Sequence, residues 1–279
     1  FIKAGIPPQV LGFLPSDHSG ANDILRLCGR SMAFGDDRTM APYRNDHRVE
    51  IHGTGYSKII FGADTAGKWE KHLDLMVESI AANGGRACVN ASAVWTPSHA
   101  DAIAEGIARK FVTMKPRPWD DPNCEISAFA KPEVAEAINN MIDEALKTPG
   151  ARDVTQEMRG TPRLVKDGRI AYLLPTVVRC ESPEHPLANK EFLFPFASVI
   201  ECPQDDILHR IGYTLAASVL TDDSGFVADS MACSHIERLN VGPLPTNRLT
   251  WDQPHEGNLF THLYKQRAFN KAELSGSKP

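Results

Sequence analysis

The chain has 279 residues, of which 42% are hydrophobic and 23% are charged, and its formal net charge is −5. This composition is typical of a globular protein with one large domain or two medium ones. The charges are mixed along the chain and form no basic face, which argues against a nucleic-acid partner. No apolar stretch approaches the length of a membrane span and the first residues lack a signal-peptide pattern, so we expect no contact with a membrane.

Short apolar runs alternate with amphipathic segments, a pattern that predicts an α/β protein. The predicted strands are Val10–Leu14, Val49–His52, Lys58–Phe61, Val89–Trp95, Ala171–Val178, Phe196–Glu201, Ala216–Leu220 and Val241–Pro245. The predicted helices are Lys68–Asn83, Ala100–Phe111, Glu133–Lys147, Gln204–Tyr213 and Phe226–Arg238. The helix from Ala100 is the clearest of these, with Ser98 as its expected N-cap.

The cysteines and histidines are dispersed along the chain. No CxxC, HExxH or clustered histidine pattern occurs, so we expect no metal site. Scattered cysteines in a chain of this size indicate reduced thiols and therefore a reducing, cytoplasmic compartment. The six cysteines are Cys28, Cys88, Cys124, Cys180, Cys202 and Cys233.

Residues 82–95 read ANGGRACVNASAVW and place Cys88 between a predicted helix and a predicted buried strand. Gly84 and Gly85 end that helix, because glycine tolerates the left-handed conformation of a helix cap. A free cysteine usually packs as a small hydrophobe, and on this stretch alone that interpretation of Cys88 stays open. The alternative is a nucleophile, since a tight glycine turn can present backbone amides to an oxyanion that forms beside a thiolate.

Two further stretches carry titratable groups beside flexible backbone. In RVEIHGTGYSKIIF (48–61) a Gly-x-Gly turn joins two predicted strands, and either Glu50 or His52 could be a general base. This stretch lacks the GxxxxGK[ST] pattern of a phosphate loop. In NKEFLFPF (189–196) Glu191 lies on a turn before an aromatic run, and the alternative for this residue is a solvated turn carboxylate.

In this order and spacing, the three stretches resemble the aldehyde dehydrogenase superfamily over nearly the whole chain, aligned to about its C-terminal three-fifths. AGIPPQVLGFLPSD is similar to the family's Ala-Gly-Leu-Pro-Pro-Gly-Val segment, GGRAC to its Gly-Gln-x-Cys motif, and NKEFLFPFASVIE to its Glu-Glu-Ile-Phe-Gly-Pro-Val block. LAASVLTDD, VGPLPTN and YKQ are similar to three further blocks. KEFLFPF together with HGTGYSK resembles the branch of phenylacetate degradation.

The resemblance implies an α/β fold with a Rossmann-type catalytic domain and part of a dinucleotide-binding domain. It implies NAD or NADP as cofactor, a small-molecule aldehyde as substrate, and a homodimer or homotetramer. The implied reaction is oxidation of the aldehyde through a thiohemiacetal and a thioester on the catalytic cysteine. The site residues that it implies are Cys88 as nucleophile, Glu50 as candidate base, Glu191, Phe34, Gly53 and Leu193 at the cofactor, and Trp251, His255 and Phe260 in the substrate funnel.

The chain departs from the family pattern in three places. The family's base motif is Glu-Leu-Gly-Gly-Lys, and Glu50 matches its glutamate only if one residue is inserted after it; without a gap, Ile51 takes that position. Where the family has Phe-Thr-Gly-Ser, this chain has Phe34 followed by Gly-Asp-Asp, and two acidic residues disfavour a close-lying phosphate. Leu193 also replaces the aromatic residue that packs near the nicotinamide.

The resemblance divides the chain into an incomplete dinucleotide-binding part (1–56), a catalytic cysteine domain (57–246) and a C-terminal segment (247–279). The first residues, FIKAGIPPQV, lack a start methionine and read like the middle of a domain, so we expect a fragment. Two alternatives to the leading interpretation remain. One is an enzyme that releases its thioester to coenzyme A, in which Glu50 has no catalytic role, and the other is an incomplete, non-catalytic member of the fold.

Overall fold

The computed structural model describes residues 1–118, 120–250, 259–264 and 268–271. The chain forms two compact units. The first contains residues 1–53 and 258–279, and the second contains residues 54–257. No helix in the described ranges is both long and apolar enough to cross a membrane.

The described elements confirm an α/β fold. The strands are β1 (Ser31–Phe34), β2 (Val49–His52), β3 (Ser57–Phe61), β4 (Ala91–Thr96), β5 (Ala151–Asp153), β6 (Leu164–Asp167), β7 (Ile170–Leu173), β8 (Thr176–Cys180), β9 (Phe196–Glu201), β10 (Thr214–Leu220) and β11 (Ile236–Val241). The helices are α1 (His18–Leu27), α2 (Asp37–Met40), α3 (Ala63–Ala66), α4 (Leu73–Ala81), α5 (Ala100–Phe111), α6 (Pro132–Ala145), α7 (Val154–Arg159), α8 (Gln204–Arg210), α9 (Ser224–Ala232) and α10 (Leu259–Leu263). Short 3₁₀ segments join several of them.

The second unit is built on a seven-stranded sheet in the order β11-β10-β3-β4-β9-β8-β5. Neighbouring strands are parallel except for β5, which runs antiparallel to β8. The strands β3, β4, β8 and β10 are buried along their whole length. This matches the continuous apolar runs in the sequence, since a parallel sheet is covered by helices on both faces.

Two apolar layers sandwich this sheet. Because successive strand residues point to opposite faces, Ile59 contributes to one layer and Ile60 to the other. The first layer contains Ile103, Ile107 and Phe111, which confirm the predicted apolar face of α5. The second contains the core residues of α6, α8 and α9. Burial of these layers from water is the main source of stability in the unit.

The first unit contains a parallel pair of strands, β1 and β2, in the register Ser31↔Val49 to Phe34↔His52. A small cluster of Ala33, Met40 and Val49 packs between this pair and α2. Its helix α1 begins at the cap residue Asp17, whose carboxylate accepts a hydrogen bond from Gly20 N at 3.0 Å.

Several predicted boundaries are wrong, and proline, glycine or a missed cap explains most of them. Residues 8–10 form a 3₁₀ turn rather than the start of a strand over Val10–Leu14. The predicted strand Ala171–Val178 is two strands, because Pro175 interrupts the ladder. The predicted strand Val241–Pro245 is misplaced. The observed strand β11 spans Ile236–Val241 and ends before the sequence Gly-Pro.

Two helix predictions also need correction. The predicted helix Phe226–Arg238 is α9, which starts two residues earlier because the Asp223 carboxylate caps it, and residues 236–238 belong to β11. Helix α5 has the predicted bounds, but Ser98 is not its cap. His99 occupies the N-cap position with φ +65°, and the Ala100 amide donates to the Glu201 carboxylate at 3.2 Å.

Candidate active site

Four chain segments meet at the edge of the large sheet where strands β3, β4, β9 and β10 begin. They are residues 54–57, 86–90, 191–195 and 213–215, each lying just before or at the start of its strand. Parallel strands that start at one edge bring such segments together although they are far apart in sequence. All four belong to the second unit.

Cys88 lies in a tight turn between the 3₁₀ segment Ala82–Gly85 and strand β4. The turn is closed by a hydrogen bond from Asn90 N to Ala87 O at 2.8 Å, and the Asn90 side chain accepts from Ala87 N at 2.8 Å. Cys88 is half-buried at the margin of a small apolar cluster, whereas Cys180 and Cys202 are fully buried. Burial raises the pKa of Cys180 to about 12, as expected for an inert core thiol.

The glycines before Cys88 are required by the segment that packs on them. Gly84 and Gly85 have φ values of +65° and +67°, which confirms their predicted left-handed conformation. A Cβ on Gly85 would lie 2.4 Å from Pro195 N, and one on Gly84 would lie 2.2 Å from Ser127 Oγ. The absence of a Cβ on Gly85 lets the segment that carries Glu191 approach the cysteine turn closely, and the absence of one on Gly84 leaves room for Ser127.

Arg86 links the cysteine turn to the same two segments, those of Leu193 and Ser127, through side-chain hydrogen bonds. Its guanidinium donates from Nε to Leu193 O at 3.1 Å, and from Nη2 to Ser127 O at 3.2 Å and Ala128 O at 3.0 Å. It also lies over the Phe129 ring, 4.5 Å from the ring centroid. A planar guanidinium with several fixed donors suits this role, because it can fasten three carbonyls at once.

Glu191 is held by backbone amides. Its carboxylate accepts hydrogen bonds from Tyr56 N at 2.6 Å and Gly55 N at 3.4 Å. The residue as a whole is half-buried. An anchored carboxylate is a suitable acceptor for the hydroxyl groups of a ribose, and in this respect the residues present fit the expected cofactor.

Residues 55–57 connect Glu191 with the cysteine turn. A Cβ on Gly55 would lie only 1.9 Å from Cys88 O, so the two backbones are in direct contact. Ser57 Oγ donates to Cys88 O at 2.8 Å and accepts from Ala216 N at 3.1 Å. The structure therefore brings two of the residues predicted from sequence, Cys88 and Glu191, onto one shared turn.

Beneath this turn lies Lys58, a buried cation that the sequence analysis missed. Its ammonium donates to Tyr56 O at 2.6 Å, Thr214 Oγ1 at 3.1 Å and Tyr213 O at 3.2 Å. Burial lowers its pKa to about 7, and the negative charge of Glu191 opposes that shift. The available signal was a lysine directly before the run Ile-Ile-Phe in a strand predicted to be buried.

Glu50, the predicted candidate base, lies in the first unit on β2 between two histidines. Its carboxylate oxygens lie 3.1 Å from His52 Nε2 and 3.1 Å from His262 Nδ1. The other ring nitrogen of His262 lies 2.9 Å from Ser31 O. Both groups facing His262 are oxygen atoms that can accept a hydrogen bond.

Two predicted cofactor residues also lie in the first unit. Phe34 is 68% exposed and its ring stacks on His52 with centroids 4.6 Å apart. Gly53 directly follows β2. The turn after Phe34 does not fit a phosphate, because the Asp36 carboxylate already accepts from Thr39 N at 2.7 Å and would repel an anion there.

The remaining predicted residues divide into described and undescribed ones. Leu193 is 56% exposed and its carbonyl accepts from Arg86. Phe260, in α10, is 67% exposed and packs on Tyr264 with ring centroids 4.8 Å apart. Trp251 and His255 lie outside the described residues.

The chain was compared with known proteins. The model of the aldehyde dehydrogenase family matches residues 31–260. No curated protein sequence matches the chain.

Solved structures with the same fold include a mutant aldehyde dehydrogenase from Bacillus cereus, with a TM-score of 0.73 and 17% identity over 89% of this chain and 51% of that one. A putative methylmalonate-semialdehyde dehydrogenase from Sinorhizobium meliloti, solved with NAD, has a TM-score of 0.71 and 16% identity over 88% and 51% of the two chains. A glyceraldehyde-3-phosphate dehydrogenase from Methanocaldococcus jannaschii, solved with NADP, has a TM-score of 0.70 and 13% identity over 89% and 54%. The chain thus spans about half the length of these proteins. With a family match over most of its length, the chain belongs to the aldehyde dehydrogenase family.

Proposed function

We propose that the chain carries the catalytic cysteine unit of an enzyme that oxidises an aldehyde with NAD or NADP, with Cys88 as the nucleophile. The observation that carries this proposal is the shared turn at residues 55–57, which contacts the Cys88 backbone and holds the Glu191 carboxylate. Family membership supports the reaction class, and the neighbours solved with NAD and NADP support the cofactor class.

In the proposed reaction, the Cys88 thiolate adds to the aldehyde carbonyl carbon, and the carbonyl oxygen becomes an alkoxide. A thiolate suits both halves of the reaction because it is strongly nucleophilic and later leaves well from an acyl carbon. Collapse of the alkoxide expels the hydride and leaves a thioester on Cys88. When bound, the nicotinamide ring would accept that hydride. Glu191 would hold the ribose, and Leu193 would line the same region.

Release of the thioester has two candidate routes. Hydrolysis needs a base that activates water, and Glu50 is our candidate on the basis of the sequence motif. In the structure each carboxylate oxygen of Glu50 faces a histidine ring, and these contacts occupy part of the capacity of Glu50 to accept a proton from water. Transfer to coenzyme A needs only an incoming thiol, so this second route has no requirement for Glu50.

The proposed substrate is a small-molecule aldehyde, and the sequence resemblance points to the branch of phenylacetate degradation without naming the aldehyde. Trp251, His255 and Phe260 are the proposed wall of the substrate funnel.

We further propose a homodimer or homotetramer. Strand β11 lies at an edge of the described sheet, where a second copy could pair with it. Light scattering on the purified protein tests this assembly.

The function is tested with the full-length protein and a panel of aromatic and aliphatic aldehydes, with NAD⁺ or NADP⁺ and with or without coenzyme A. We expect NAD(P)H formation, and none in Cys88→Ala. A Glu50→Gln protein that gives a first-turnover burst and then slows supports hydrolysis assisted by Glu50. Strict dependence on coenzyme A, with normal turnover in Glu50→Gln, supports the acylating route. No NAD(P)H with any aldehyde would favour a non-catalytic member of the fold.

A further inference from the structure

Lys58 lies in β3 in the interior of the second unit and is only 1% exposed. Its register partners in the sheet are Ala93 on β4 and Ala217 on β10, both fully buried. Lysine is rarely placed in such surroundings, because an ammonium loses its hydration there. A buried charge of this kind is retained only when its hydrogen bonds are satisfied, so the acceptors that Lys58 contacts are important for its role.

The three N–H groups of the ammonium match three acceptors. They are the carbonyl of Tyr56, the carbonyl of Tyr213 and the hydroxyl of Thr214. The ammonium also lies 6.0 Å from the centroid of the Tyr56 ring, on its face. Lys58 thus links the turn before β3 with the start of β10.

The acceptor with the shortest contact belongs to a strained residue. Tyr56 has φ +47°, a left-handed conformation that is unfavourable for a residue with a Cβ. Its carbonyl points to Lys58, while its amide and that of Gly55 point to Glu191. Such strain persists only where the surroundings over-determine the backbone, and here the groups that do so are a buried cation on one side and a carboxylate on the other.

We propose that Lys58 is a positioning residue, whose ammonium holds the left-handed Tyr56 turn so that the Gly55 and Tyr56 amides fix Glu191 and the turn stays in register with Cys88. This inference rests on the proposed function for its catalytic meaning, whereas the geometry of the turn stands independently. Only the protonated form of Lys58 has three donors; the neutral amine has two and would leave one acceptor without a partner.

The turn should therefore lose one hydrogen bond as Lys58 loses its proton, while Lys58 itself stays buried. This local change differs from global unfolding, which exposes Lys58 and becomes less favourable as the pH rises above about 7. Burial places the pKa of Lys58 at about 7, so this change falls within the ordinary working range of an enzyme. The groups facing Lys58 are Tyr56 in the turn before β3, Tyr213 and Thr214 at the start of β10, and the carboxylate of Glu191. Of these, Glu191 is the negative charge that favours the protonated form.

The direct test is amide hydrogen exchange of Gly55 and Tyr56, expressed as a protection factor so that the intrinsic pH dependence of exchange cancels. In Lys58→Met, which keeps the length of the side chain, we expect protection at these two amides to fall about tenfold or more. Lys71→Met, a change at an exposed lysine, should leave it unchanged. Unaltered protection at Gly55 and Tyr56 in Lys58→Met would overturn the proposal, and so would an equal loss throughout the sheet.

If Lys58→Met does not fold, hydrogen exchange of the wild-type protein at several pH values tests the proposal instead. As the pH rises from about one unit below to about one unit above the pKa of Lys58, protection at Gly55 and Tyr56 should fall, while protection in α6 should hold. Constant protection at the turn would contradict the proposal. Thr214→Val, which removes one acceptor, should shift this transition to a different pH.

A kinetic experiment, the measurement of kcat/KM at several pH values, relates the turn to catalysis. We expect the ratio of kcat/KM between wild type and Lys58→Met to be about tenfold or more below the pKa and to approach one above it. Titrations common to both proteins cancel in this ratio, whereas a merely structural role would give a ratio independent of pH. If no aldehyde is oxidised at all, the proposed function fails while the exchange data still decide the role of Lys58.

Discussion

At the scale of single residues, the candidate site depends on backbone contacts that leave no space for a side chain. Gly85 meets the backbone of Phe194 and Pro195, and Gly55 meets the carbonyl of Cys88. These contacts join the cysteine turn to the segment of Glu191 without any side-chain bond. A sequence motif with glycines can indicate a tight turn, but it does not identify the chain segment that packs against it.

The free-energy cost of adding a side chain at one of these contacts can be measured at Gly85. Gly85→Ala combines a left-handed backbone with a Cβ placed 2.4 Å from Pro195 N, so we expect a loss of about 3 kcal/mol or more in the free energy of unfolding. Gly160 is the matched control, since it has φ +71° but no atom within 4 Å of the added Cβ. Gly160→Ala should cost about 1–2 kcal/mol. Equal losses in urea denaturation of the two variants would show that the contact at Gly85 contributes nothing.

At the scale of elements, the sequence predicts best those segments whose apolar pattern is uninterrupted. Helix α5 and strand β9 have the predicted bounds Ala100–Phe111 and Phe196–Glu201, because their apolar periodicity is uninterrupted. Cys88 lies on a helix-to-strand turn as predicted. The burial of Lys58 had a sequence signal, but its acceptors on Tyr213 and Thr214 and the pairing of residues 55 and 56 with Glu191 were not predictable, because they depend on segments that become neighbours only in the folded sheet. Strand β11 was also predicted wrongly, because the residues at its start were assigned to the predicted helix Phe226–Arg238.

A second element-scale feature fastens α6 to β5. Arg163 is 1% exposed and its guanidinium lies 2.6 Å from Asp153 Oδ2 at the end of β5 and 2.5 Å from Asp143 Oδ1 on α6. Arg163→Ala leaves the buried Asp153 carboxylate without this partner, so we expect a loss of about 3–5 kcal/mol in the free energy of unfolding.

The matched control for Arg163 is Lys166, which also pairs with a carboxylate of α6. Its ammonium lies 2.6 Å from Glu136 Oε1, but both side chains are largely exposed. Lys166→Ala should therefore cost no more than about 1 kcal/mol. Chemical denaturation followed by circular dichroism compares the two variants. A loss at Arg163 as small as that at Lys166 would contradict the structural role of the buried pair.

At the scale of the whole molecule, the buried cation should leave a signature in the pH dependence of stability. The pKa of Lys58 is about 7 in the folded protein and 10.5 in the unfolded chain. Between these values the unfolded state binds a proton that the folded state lacks, so the free energy of unfolding rises with pH. Below about 7 both states are protonated, and the contribution of Lys58 is at its least favourable constant level.

We therefore expect wild-type stability to increase from about pH 7 to about pH 8.5 relative to Lys58→Met, which has no such group. Staying below about pH 9 avoids the opposite effect of Cys180, whose raised pKa makes folding less favourable once the unfolded thiol ionises. Urea denaturation at several pH values measures the difference. A wild-type minus Lys58→Met difference that stays level over this range would contradict the burial of the ammonium.

The central claim is that Cys88 forms the covalent bond to the substrate. Its most direct test is mass spectrometry of the full-length protein, mixed with an aromatic aldehyde and NAD(P)⁺ and quenched in acid within the first turnover. We expect an acyl group on the peptide that contains Cys88, none on Cys180 or Cys233, and none in Cys88→Ala. An acyl group on another residue, or NAD(P)H formation by Cys88→Ala at the wild-type rate, would contradict it.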